Sequence, residues 1–234
     1  MKNKNISVIS DSISMPRFEE PGEKILLEQT WPVLLSKLFS NDVNIYNFSL
    51  RARDSFSLSK HLIEESVKLV EPQAIILQVG IVDCSPRIFS NLEKRIIFSH
   101  WFPKIFRQII ITKRKNKLAN SKKKNQYTTI ITKIDFKENI TSFIDNIRSI
   151  NKNLKIIILP IIGDLNKLEK FRGGYTKNIK EYNEILNLES KYDVIYLSKI
   201  FHDMDSDWFY NDWYHLSKIG HEKTAKILYN YLNV

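Results

Sequence analysis

Cysteine is nearly absent from this chain. Cys84 stands alone among 234 residues, so no intrachain disulfide can form and a disulfide-stapled scaffold is excluded. Glycine and proline are scarce, at 6 and 7 residues, which leaves little material for low-complexity linkers. No apolar run approaches the roughly 18–20 residues of a membrane span. The first residues, Met1-Lys-Asn-Lys4, run directly into a strand-like stretch and lack the apolar core of a secretory signal. The expected compartment is the cytoplasm. No internal repeat or domain boundary interrupts the sequence, and residues 1–234 read as one domain. A metal-ligand pattern is also missing. His202-Asp-Met-Asp-Ser-Asp207 has neither the glycine nor the distal glutamate of a calcium loop, and reads as a solvated acidic loop. No metal or organic cofactor is expected.

The composition is that of a packed protein, 43% hydrophobic and 12% aromatic. The formal net charge is +10, which suits an acidic partner such as nucleic acid, an anionic glycan or a membrane face. The excess is local. Lys113, Arg114, Lys115, Lys117, Lys122, Lys123 and Lys124 follow one another with no acid between them.

Short β-branched runs alternate with helical patterns from end to end. Strands are expected at Ile6–Ile9, Asp42–Phe48, Ala74–Val79, Leu154–Leu159 and Val194–Leu197. Helices are expected at Glu23–Phe39 (with a kink or restart at Pro32), Ser55–Val70, Phe89–Thr112, Phe136–Asn151, Thr176–Ser190 and Lys218–Leu232. Continuous apolar strands separated by helices imply an α/β fold with a parallel sheet covered on both faces. Ligands of such sheets sit beyond the C-terminal strand ends. Ser10–Ser12, Ala52 and Gly80–Asp83 all fall there. Residues 89–133 read as a basic helical and loop insertion, and 113–127 as a polar excursion. Within it, Trp101, Phe102, Ile105, Phe106, Ile109 and Ile110 recur at helical spacing. Two readings stand: a cap helix with a basic loop, or a lid or membrane-surface element across 98–124 that meets an anionic lipid-linked or acidic glycan. Nucleic-acid binding is the weaker expectation, since no recognition motif accompanies the bases.

Two motifs carry chemistry. Strand one breaks into Ser10-Asp11-Ser12 at a strand-to-helix turn, and Asp212-Trp-Tyr-His215 precedes the last helix. A serine attacks an acyl carbon once a histidine takes its proton, and a carboxylate fixes that histidine's tautomer. Alone, Ser-Asp-Ser reads as a helix cap or Asx turn, and Asp212 with His215 as a capping pair. In combination they resemble the SGNH (GDSL) hydrolases. That family's first block is Gly-Asp-Ser, and its last is Asp-x-x-His continuing Leu-Ser/Thr-x-x-Gly-His. Asp212-Trp-Tyr-His215-Leu-Ser-Lys-Ile-Gly220-His221 is similar nearly position for position. The Tyr182-Asn183 pair is similar to a family helix motif. The resemblance implies a three-layer α/β/α sandwich of flavodoxin-like build, with Ser12 as nucleophile, His215 as base and Asp212 as orienting acid.

The middle blocks depart from the family pattern. Ala52 falls where a glycine would supply an oxyanion N–H, a role alanine fills if its backbone permits. Gly80-Ile-Val-Asp83 replaces Gly-x-Asn-Asp, so Val82 stands where a side-chain donor is expected. One lost oxyanion donor is worth roughly 3 kcal/mol. Arg87 or a neighbouring arginine, Arg51 or Arg53, is a candidate replacement cation, and such a cation suits an anionic substrate. The competing reading of Arg87 is an ion pair with Asp83 or Asp54. Asp11, Arg51, Ala52, Gly80, Asp83 and Arg87 are thus the expected oxyanion and substrate-binding residues. Cys84 reads as a small buried residue.

The resemblance implies acyl-ester hydrolysis on a small molecule or glycan ester, with surface polysaccharide biosynthesis as one setting. Acyl transfer to a sugar, or a non-catalytic binding module, are the alternatives.

Overall fold

The computed structural model describes residues 4–18, 24–39, 43–87, 89, 93, 96–99, 101–120, 129–171, 173–188, 194–201 and 204–232, with the backbone alone at 114–120 and 199–200. Among the described residues five strands form one parallel sheet: β1 (Lys4–Ser10), β2 (Val43–Asn47), β3 (Ala74–Gln78), β4 (Lys155–Ile158) and β5 (Val194–Tyr196), in the order β2-β1-β3-β4-β5. Every residue of β3 is buried, as expected of a central parallel strand covered on both faces. The register pairs Ile6 with Ile45 on one side of β1 and with Ala74 on the other.

Helices make the outer layers of an α/β/α sandwich. Helix α1 (Trp31–Leu38) packs against the C-terminal helix, and α2 (Lys60–Ile63, continued by a π-turn at Glu64–Leu69) follows β2. Helix α3 (Ile81–Cys84) is a single turn after β3. After it come α4 (Lys104–Asn120), α5 (Lys133–Ile150), α6 (Leu165–Phe171), α7 (Tyr175–Leu188) and α8 (Lys218–Leu232). Helix α5 shows why such segments become helices here. The Thr132 hydroxyl accepts from Asp135 N–H and donates to its carboxylate, while Phe136, Ile140, Phe143, Ile144 and Ile147 place one apolar stripe on the core. In the alternate layer α8 packs on α1, and His221 Nδ1 accepts from Trp31 N–H at 3.1 Å.

Several boundaries differ from expectation. The helix expected over Glu23–Phe39 begins at Trp31, because Pro32 seats in its first turn and Ile25 is diverted into a bridge with Arg17. Helix α4 starts after Pro103 and runs through Asn120, where a loop is expected; lysine, arginine, leucine and alanine are good helix formers and hold it through its basic half. Trp101, Ile105, Phe106 and Ile109 on this segment are exposed. Helices α3 and α6 are additions. Glu23, Asp42, most of 88–100, 121–128, Glu189–Ser190 and His202–Asp203 carry expectations that lie outside the described residues. Among the described residues no helix is long and apolar enough to cross a membrane.

Candidate active site

The N-terminal part of the site follows from the end of β1. Asp11 Oδ1 accepts from Ile13 N–H at 2.8 Å and caps a one-turn 3-10 helix, Ser12–Ser14, which turns Ser12 out of the sheet. Beyond β2, Phe48 N–H donates to Val8 and Leu50 N–H to Ser10, so the parallel pairing continues past both strand ends, and Ala52 follows two residues after Leu50. Ala52 takes a left-handed φ of +56°, the conformation glycine adopts freely and other residues at a cost of roughly 1–2 kcal/mol. The N–H groups of Ser12 and Ala52 make no hydrogen bond among the described residues. Two backbone donors, one on the turn after β1 and one on the turn after β2, are thus available.

The C-terminal part is a clamped loop. Phe209 and Leu216 form an antiparallel bridge, Tyr210 N–H donates to the His215 carbonyl at 2.7 Å, and Ser217 N–H donates to Trp208 at 2.8 Å. Asp164 N–H holds the Trp213 carbonyl at 2.7 Å. Gly220 lets α8 approach, since a Cβ there would meet the Trp208 carbonyl oxygen at 2.1 Å.

These two parts meet. Ser12 Oγ lies 2.8 Å from His215 Nε2, and His215 Nδ1 lies 2.7 Å from Asp212 Oδ2, while Asp212 Oδ1 accepts from His215 N–H at 3.1 Å. With Nδ1–H donating to the carboxylate, Nε2 is left to accept from the serine hydroxyl. His215 is buried and Ser12 half-buried. Burial pushes the Asp212 carboxyl up, but the His215 hydrogen bond and the charges of His215 and Arg17 outweigh it and hold Asp212 below the usual carboxylate range. Asp212 therefore stays ionised.

Arg17 was not among the residues singled out from the sequence, and it touches this relay. Its Nη2 is 2.8 Å from Asp212 Oδ2, and its Nη1 is 2.7 Å from both His215 ring nitrogens. Equal distance to both nitrogens places the guanidinium over the imidazole face rather than in its plane. The contact crosses 198 residues of sequence, and no spacing rule could have signalled it.

The remaining expected residues take other places. Asp11 and Asp83 are wholly buried, so the role open to them is positioning, not contact with a substrate. Asp83 Oδ1 accepts from Ser55 N–H at 2.9 Å and its carbonyl accepts from Ile130 N–H at 3.2 Å. Burial raises Asp83 to about 6 and Asp11 to about 7, the latter helped by the Asp83 charge. Gly80 has a φ of +123° and sits where a Cβ would come within 2.5 Å of Ile161 Cδ1. Its glycine identity serves backbone geometry and packing. Val82 is half-buried in the first turn of α3. Arg87 is half-buried on the stretch leaving α3, and Arg51 is exposed, its Nη2 donating to the Pro16 carbonyl at 2.8 Å. Arg53 is buried and donates to Phe48. Burial pushes the Cys84 thiol well up, which disfavours a thiolate. Burial lowers His221 to about 3, with the His215 charge contributing, so His221 is a neutral acceptor that ties α8 to α1. Asn183 brackets Ile161, accepting from its N–H at 2.8 Å and donating to its carbonyl at 2.9 Å. Among the described residues no group of three or more His, Cys, Asp or Glu is placed to hold a metal ion.

This α/β/α architecture is shared with solved structures of GDSL-like lipases and esterases. The particular likenesses are to solved structures. The chain is similar to a lipase/acylhydrolase from Enterococcus faecalis (TM-score 0.63, 12% identity, 98% of this chain and 95% of that one). It is similar to a GDSL-like lipase from Bacteroides thetaiotaomicron (TM-score 0.60, 11% identity, 99% and 89%). A variant of an acetyl-xylooligosaccharide esterase from Geobacillus is similar at TM-score 0.57 and 15% identity, over 100% and 97%. No family model matches the sequence, and no curated protein does. At these identities the likeness is one of fold, and it extends over nearly the whole chain.

Proposed function

We propose that this protein cleaves an acyl ester through a Ser12 acyl-enzyme. The observation that carries the reading is the unbroken relay from Ser12 Oγ through His215 to Asp212. Ser12 Oγ attacks the ester carbonyl carbon as its proton passes to His215 Nε2. The negative carbonyl oxygen is received by the free N–H groups of Ser12 and Ala52. His215 then returns the proton to the leaving alkoxide as the carbon–oxygen bond breaks. A water, deprotonated by His215, attacks the acyl carbon, and as the bond to Ser12 Oγ breaks His215 returns the proton to that oxygen, freeing the acid and Ser12. Replacing that water by a sugar hydroxyl would give acyl transfer by the same steps. The GDSL-like neighbours and the esterase among them support ester chemistry, and the latter makes an acylated carbohydrate the first substrate to try. Modification of a surface polysaccharide precursor is the setting in which such a substrate would arise.

The test is intact-mass spectrometry after treatment with a fluorophosphonate and, separately, with p-nitrophenyl acetate. One adduct is expected, mapped to Ser12 and lost in Ser12→Ala and His215→Ala. A folded protein that takes up neither reagent would overturn the reading in favour of a binding module.

A further inference from the structure

The positive charge set on the relay is at odds with the chemistry proposed for it. Acylation converts His215 to an imidazolium, and the Arg17 guanidinium already lies 2.7 Å from its ring nitrogens. Like charges in contact oppose that step. Arg17 also shares Asp212 Oδ2 with the His215 ring, so it draws on the carboxylate that would stabilise the imidazolium. A structure that buries such a cation against its base gains from a substrate that brings the matching anion.

The surroundings fit that substrate. Arg17 is only 6% exposed. It is held by a two-way backbone bridge to Ile25 (2.9 and 3.0 Å), and its guanidinium faces the Tyr210 ring at 5.4 Å. The cation is therefore fixed at the relay. Arg51 is exposed, its Nη2 donates to the carbonyl of Pro16, the residue before Arg17, and it directly precedes Ala52, whose N–H is one of the two oxyanion donors of the ester-cleavage reading. A guanidinium binds carboxylate or phosphate through paired N–H bonds.

Building on the ester-cleavage reading, we infer that Arg17 and Arg51 form a subsite for an oxyanion, a carboxylate or phosphate, carried by the ester substrate beside the scissile bond. The anion takes hydrogen bonds from the guanidinium that now presses on His215, and releases Asp212 to the imidazole alone. Arg17 is then a specificity-determining residue. It restrains the relay against neutral esters and stops doing so when an anionic ester arrives.

The experiment compares p-nitrophenyl acetate with two carboxylate-bearing esters. Mono-p-nitrophenyl glutarate carries the charge on the acyl side, and 4-acetoxybenzoate on the alcohol side. Wild type is expected to favour one of the charged esters by at least tenfold in kcat/KM, and the preferred one tells which side the subsite faces. Arg17→Gln is expected to lose that preference, mainly through KM, while its rate on p-nitrophenyl acetate rises. Arg17→Lys is expected to restore part of the preference, and Arg51→Gln to weaken it. Equal changes on all three esters, or a wild-type preference for the neutral ester, would overturn the subsite. The subsite is separable from the chemistry by titrating glutarate and inorganic phosphate into Ser12→Ala protein by calorimetry. Binding that Arg17→Gln abolishes supports the subsite even if no ester is cleaved, in which case only the ester reading fails. No binding of either anion, with Ser12 reactive toward fluorophosphonate, overturns the subsite and leaves the ester reading standing.

Discussion

Replacing Asp83 by asparagine should make the protein more stable, and by an amount that depends on pH. Asp83 has no exposed surface; Oδ1 accepts from Ser55 N–H, while no hydrogen bond reaches Oδ2 among the described residues. Burial raises the carboxyl from 3.8 to about 6, and about two pH units correspond to about 3 kcal/mol. The sign follows from proton counts. Between 3.8 and about 6 the folded protein holds a proton that the unfolded chain has released, so stability falls as pH rises through that window and is level above it. Below 3.8 both states are protonated and the cost is gone. Asparagine keeps the acceptor for Ser55 and never ionises. Its amide donor costs about 1–3 kcal/mol if unmade, but that cost does not vary with pH. The difference in unfolding free energy, variant minus wild type, should therefore grow by about 3 kcal/mol between pH 4 and pH 7.5. The difference is the quantity to measure, because His221 acts in the opposite direction. Its pKa is lowered from 6.5 to about 3, so its contribution is lost as pH falls below 6.5 and masks the Asp83 slope in wild type alone. Asp11, raised to about 7 partly by Asp83, should leave the variant a shallower slope of its own. Urea unfolding followed by tryptophan fluorescence at half-unit pH steps gives both curves, and a slope m of about 1–3 kcal/mol per molar turns the expected change into a midpoint shift of about 1 M or more. Parallel curves across this range would refute the assignment of a buried, proton-holding Asp83.

Further outcomes can be checked with the same protein. Asp212→Asn retains an acceptor for His215 N–H but presents the wrong partner to Nδ1, and should slow fluorophosphonate labelling by about 10²–10⁴-fold with little change in Tm. Gly220→Ala drives a methyl to 2.1 Å from the Trp208 carbonyl oxygen; it should cost about 1–3 kcal/mol or more in urea unfolding and displace the loop that carries His215, so labelling should slow even well below the melting temperature. Exposed Trp101, Ile105 and Phe106 lie on the same segment as Lys104, Arg107 and Lys113, which suits an anionic lipid surface. Vesicles containing phosphatidylserine should co-sediment with wild type and less with Trp101→Ser/Phe106→Ser; binding equal to that of neutral vesicles would count against it.

Most of the fold is legible in the sequence for a physical reason. A parallel strand covered on both faces must be apolar throughout, and runs such as Ala74–Leu77 and Ile156–Leu159 admit few other readings. The two chain-end motifs are legible because each is local: the Asp11 cap and the Asp212–His215 pair are fixed by contacts two or three residues apart. Arg17 was illegible because its partner is at the other end of the chain. The helical course of 113–120 was masked by charge density, which reads as a solvated loop although lysine and arginine favour helix. The short helix Leu165–Phe171 was too brief to show a period. Asp11 and Asp83 were expected among the oxyanion and substrate-binding residues, but both side chains are buried, and burial is something no spacing reveals.

Ser12 and His215 are 203 residues apart, and that separation orders the protein's own birth. The nucleophile's strand emerges first and soon finds β2 and β3, since β1 lies between them in the sheet. The base arrives with the last loop before α8. A ribosome-bound or truncated chain can build much of the sheet and display Ser12 in its turn, yet has nothing to take its proton. On the proposed function, reactivity at Ser12 waits for the loop that carries His215, and a labelling reagent added during synthesis would report only chains that have reached and placed that loop.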